Sequence, residues 1–221
     1  KDILDSKVDW IKPELPERSL TRRWEKLEGH AQLWSDFLDQ FLKACSEKNT
    51  NTIIWDTSTV EWKLCCDTYL EELQTLSVKQ NKPLRKQLQQ MEYGEPNQRQ
   101  RQLFATVRSY DKNLILVHHE TDEYKPAIWS SGPLAGQPVL DTDGNPKSMA
   151  TGNRIPDGFK YTLGLADWVL HTYRPDKKES KNIKIVIEKS AMGIDLVGVE
   201  YDTVAFEYNQ LVKTLVTLER L

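Results

Sequence analysis

Two short apolar runs each end abruptly on reactive chemistry. Ile53-Ile54-Trp55 drives into Asp56 and then Thr57, Ser58 and Thr59; Leu114-Ile115-Leu116-Val117 drives into His118, His119 and Glu120. Both have the length and apolar character of buried strands. Stretches of helical periodicity separate them, so they read as parallel strands of one sheet covered on both faces, the core of an α/β domain. Burying an unpaired carboxylate is costly, so a strand that ends on Asp56 raises the question of what that carboxylate partners.

The flanking segments fit this reading. Leu33, Trp34, Phe37, Leu38, Phe41, Leu42 and Cys45 recur at helical spacing between Glu28 and Lys48, and Asn49-Thr50-Asn51 breaks that helix before the first strand. Thr57 or Ser58 can cap a second helix, with Glu61 placed to favour its first turn and Leu64, Cys65, Tyr69, Leu73 and Leu76 on its buried face. A third helix over about 98–110 carries Leu103, Phe104 and Val107, and the second strand, 114–117, follows. Residues 120–160 hold five of the ten glycines and five prolines, a long loop or hairpin insertion with a hairpin turn at 141–146. Beyond it, 167–173 and 183–189 read as strands, and Leu211, Val212, Leu215 and Leu218 mark a closing helix.

Composition sets outer bounds. The chain has 221 residues, 38% of them hydrophobic and 29% charged, enough for one substantial core. A net charge of −3 gives no global field toward nucleic acid or membrane, so any such surface is local. No apolar stretch approaches about 18 residues, which argues against a membrane partner. Cys45, Cys65 and Cys66 lack metal-type spacing, and neighbouring thiols rarely close a disulfide, so a reducing, cytoplasmic setting is expected.

In an open α/β sheet, ligands bind at the carboxyl ends of the strands, where Asp56 and His118 would share a crevice. A carboxylate there suits magnesium, which takes one or two carboxylates together with phosphate oxygens; equally, Asp56 could serve only as a helix cap. Adjacent strand residues point to opposite faces, so one of His118 and His119 faces the crevice and the other packs elsewhere. Glu120 has the chemistry of a base or water-orienting group. The segment 78–102 sets six cations, Lys79, Lys82, Arg85, Lys86, Arg99 and Arg101, against two glutamates. That pattern fits phosphate contacts and fits a solvated linker as well. Trp129 offers a stacking surface for an unpaired base.

Taken together, "NTIIWDTSTVEW", "LILVHHETDE", "FKYTLGLADWVLHTYR" and "IEKSAMGIDLVG" resemble the RecA-like P-loop ATPases, in particular phage nucleotide-binding proteins related to single-strand annealing recombinases. The resemblance implies a RecA-like core, one domain over 1–221, with a mainly parallel sheet, helices on both faces and the 120–160 insertion. It implies ATP and Mg2+ as ligands, Asp56 on the metal with Thr57 beside it, and His118 or His119 in place of the usual phosphate-sensing glutamine. Lys189 would then be a cation reaching a neighbouring subunit's nucleotide, with Lys184 behind it, in a homo-oligomer acting on single-stranded DNA in recombination or annealing, in the host cytoplasm if phage-encoded. Lys125, Trp129, Lys147, Arg154 and Lys160 would lie in a DNA-contacting loop. The chain departs from the pattern in having no G-x-x-x-x-G-K-[ST], so the Walker A segment is expected upstream of Lys1. Two alternatives stand beside this: a non-hydrolysing nucleic-acid-binding or assembly protein, and a metal-dependent hydrolase built on Asp56, His118 and Glu120.

Overall fold

The computed structural model describes residues 26–140, 142, 146–173, 183–191 and 196–202. The turn expected at 141–146 and the closing helix at 211–218 fall largely or wholly outside the described residues. The chain separates into two compact units, Lys1–Phe159 and Lys160–Leu221.

In the first unit the order is α1 (His30–Ser46), β1 (Thr52–Asp56), α2 (Ser58–Lys79), a 3₁₀ turn (Gln90–Tyr93), α3 (Gly94–Ser109), β2 (Asn113–Val117), β3 (Glu120–Pro126) and β4 (Ser148–Pro156). Strands β1 and β2 pair in parallel, with Thr52 opposite Asn113 and Asp56 opposite Val117. Alternation along the pair sends Ile53, Trp55, Leu114 and Leu116 to the core side. There they meet Trp34, Phe41 and Cys45 of α1, Leu64 and Cys65 of α2, and Leu103 and Val107 of α3. Trp55 is the hub, with ring centroids 5.7 Å from Phe37, 5.6 Å from Phe41 and 6.2 Å from Phe104.

Helix α2 buries more polar chemistry than its apolar spacing suggests, and Leu76, expected inside, is half exposed. Buried and half-buried polar groups of α2 hold neighbouring backbone. Glu71 accepts from the Gly29 and Ala31 N–H groups at 3.2 and 3.0 Å, capping the start of α1 from another helix. Thr68 donates to His30 O at 2.9 Å, and Gln74 joins Leu27 N–H to Arg85 O at 2.7 and 2.6 Å.

The expected RecA-like core is not what forms. Among the described residues the parallel sheet has two strands only, and the other sheets are antiparallel. The long insertion is a hairpin arm: β3 pairs with β4, and the connecting segment closes further bridges between Ile128 and Pro138 and between Leu140 and Pro146. Nor is the parallel pair covered on both faces, because Ile54, Ile115 and Val117 are exposed at 59%, 45% and 40%.

The second unit contains α4 (Thr162–Leu165), β5 (Trp168–Tyr173), β6 (Lys184–Ser190) and β7 (Glu200–Asp202) in an antiparallel sheet of order β5-β6-β7. The connection from Tyr173 to Lys184 is too short for a parallel crossover, which needs a dozen or more residues, so the two segments fold back on each other. No helix among the described residues is long and apolar enough to cross a membrane.

Candidate functional site

The parallel register delivers Asp56 and Val117 to the same end of the sheet, so the next residues, Thr57 and His118, leave the two strands side by side. Adjacent strands lie about 4.8 Å apart, which sets the scale of this tip. Asp56 is exposed there. Thr57 is the N-cap of α2, but its hydroxyl makes no capping bond and is buried without a hydrogen-bond partner.

His118 is held from one side. Its Nδ1 lies 3.0 Å from Asp157 O, and a carbonyl only accepts, so Nδ1 carries the hydrogen. In the neutral ring Nε2 is then the lone-pair nitrogen, and that atom is buried with no partner. His119 is exposed and contributes backbone. Its N–H donates to Thr59 Oγ1 at 3.0 Å, and its carbonyl accepts from Asp157 N–H at 2.7 Å. Thr59 donates in turn to Asp157 O at 2.7 Å. The base of the hairpin arm is thereby bolted to the strand tips. Gly158 completes the bolt at φ 138°, where a Cβ would stand 3.3 Å from His118 Nδ1. Phe159 follows, packed on Trp62 and Phe104.

Of the two histidines, His118 is therefore the one whose ring is held, against Asp157 and Gly158. Glu120 opens the arm instead of facing the tip, with its carboxylate 3.6 Å from Arg154 Nε. No group of three or more metal-ligating side chains exists among the described residues, so Asp56, His118 and Glu120 do not assemble a metal cage. Asp56 fits only the lighter role of one carboxylate beside phosphate oxygens and water.

The remaining candidates are dispersed. Lys189, in the second unit, donates to the carbonyls of Leu163, Gly164 and Ala166 at 3.0, 3.3 and 2.6 Å, which caps the end of α4. Three arginines neutralise protein carboxylates: Arg85 pairs with Glu92, Arg99 grips Glu72 at 3.0 and 2.8 Å and Glu95 at 3.1 Å, and Arg154 meets Asp122 at 2.8 Å. Lys79, Lys82, Lys86 and Arg101 are exposed on α2, its following connection and α3. Trp129 and Lys147 are exposed on the arm. Sequence reasoning missed Thr59, Asp157 and Gly158. The one local signal was Asp157-Gly158, a turn dipeptide just after the last strand residue of the arm.

Comparison with known proteins finds no matching family model, no matching curated protein and no matching solved structure.

Proposed function

We propose that the chain binds a magnesium–nucleoside triphosphate at the tip formed by the carboxyl ends of β1 and β2, and that it hydrolyses the nucleotide. The observation that carries this reading is the parallel register, which brings Asp56, Thr57 and His118 to one end of the sheet. Three features support it. Asp56 is an exposed oxygen donor. Thr57 Oγ1 and His118 Nε2 supply a hydroxyl and a lone pair, both buried and without partners, that ligand atoms or a water would satisfy. Helix α2 starts at Ser58, which brings the positive end of a 22-residue helix dipole beside the same tip. Magnesium, when bound, neutralises phosphate oxygens. His118, its ring fixed through Nδ1, orients a water or hydroxyl at Nε2.

The test is magnesium-dependent binding of a fluorescent ATP analogue by the full chain. Asp56→Asn is expected to weaken the magnesium-dependent affinity at least tenfold while leaving the circular dichroism spectrum unchanged. Equal affinity in the two proteins removes Asp56 from this role.

Single-stranded DNA is the partner assigned to the arm, because Tyr124 and Trp129 are exposed at 60% and 46% and Lys125 and Lys147 stand near them. Base stacking on an exposed aromatic contributes about 1–3 kcal/mol per base, so Trp129→Ala is expected to lower affinity by one to two orders of magnitude. Unaltered affinity, or binding that does not respond to salt, counts against the arm as a DNA surface.

A further inference from the structure

We infer that Glu61 and Gln100 share one proton, forming a neutral acid–amide pair that clamps α2 to α3 and is broken when the carboxyl ionises. Both side chains are buried, at 8% and 1% exposure. Gln100 Nε2 donates to Glu61 Oε1 in a short hydrogen bond. The two remaining oxygens of the pair, Glu61 Oε2 and Gln100 Oε1, are both buried and have no partner. A carboxylate beside a carboxamide leaves two acceptors facing no donor. A proton on Oε2 supplies the missing donor, and the pair closes with two reciprocal hydrogen bonds.

Its surroundings favour the same state. Burial pushes the Glu61 carboxyl up to about 8, opposed by the Gln100 hydrogen bond. The titratable and charged groups around it are Cys65 and Cys66 on its own helix, Arg99 on α3 and Tyr93 on the 3₁₀ turn. Both thiols feel Glu61, Tyr93 feels Cys66, and Arg99 acts on Cys65 while it is committed to Glu72 and Glu95. No cation therefore pairs with Glu61 among these groups. The clamp sits next to Trp62, which stacks on Tyr93, and two residues beyond Thr59, which holds the arm. This inference is independent of nucleotide binding.

The linkage sign is fixed by a folded value of about 8 against an ordinary value of 4.5. The folded chain keeps a proton that the unfolded chain releases across that window. Stability from this group is complete below about 4.5, falls as pH rises and levels off above about 8. In the steep part of the window the unfolding constant of the full chain is expected to rise tenfold per pH unit more than that of Glu61→Gln, which keeps an amide–amide pair and has no proton to lose. Infrared spectra of the wild type at pH 7 are expected to show a protonated-carboxyl carbonyl band that disappears with a midpoint near 8. If the wild type shows no such band at pH 7, or if both proteins share one pH slope, the inference is overturned. The infrared titration needs only the wild type, so it decides the matter even if Glu61→Gln does not fold.

Discussion

His118 shows how few atoms fix the position of a ring. One carbonyl sets its tautomer, and one glycine gives it room. Gly158→Ala forces a side chain into a backbone region that L residues rarely adopt, at φ 138°, and sets a methyl 3.3 Å from Nδ1. The expected cost is about 1–3 kcal/mol, seen as a lower denaturation midpoint with an unchanged slope. A variant as stable as the wild type would show that the bolt between arm and strand tips is not formed in solution. Glu61 teaches a related lesson. Its position in the first turn of α2 suggests an acid favoured by the helix dipole, yet the structure buries it against Gln100, which lies 39 positions away. Spacing along one helix carries no signal for a partner on another. The same holds for Arg85, Arg99 and Arg154, which count as basic residues in the sequence but are tied to acids in the fold.

The elements with strong apolar periods were readable, because there the local pattern and the tertiary core agree. Helix α1, strand β1, helix α2, strand β2 and strands β5 and β6 all stand within a few residues of where the sequence places them. Helix α3 begins earlier, at Gly94, because Pro96 is compatible with a first helical turn where its missing N–H costs nothing. The insertion is expected as a loop or hairpin, but its strand positions carry no signal because Glu-Thr-Asp-Glu-Tyr-Lys-Pro has no apolar face; its strands are held by their own ladder and are mostly exposed. The packing of α1, β1 and α3 meets at Trp55. Truncation by Trp55→Ala leaves Phe37, Phe41 and Phe104 without their common neighbour, and a loss of about 3–5 kcal/mol is expected in chemical denaturation. A loss below about 1 kcal/mol would mean that these rings do not converge on it.

At the scale of the molecule, the helix–strand order correctly implies two parallel neighbours but not the size of their sheet. A βαβ connection is a local decision; recruiting further strands requires distant segments to choose that sheet over each other. Here the later segments pair as hairpins, β3 with β4 and β5 with β6. The proposed site needs only the β1–β2 register, not a larger sheet. The most direct measurement is a paramagnetic one on the full chain. Mn2+ in place of magnesium, added with ATP, should first broaden the amide resonances of Thr57 and His118 together. Thr52 and Asn113, about 16 Å away at the other end of the same strands, should be affected least. Broadening that reaches Thr52 and Asn113 first, or that spares His118 while affecting Thr57, would contradict a shared tip.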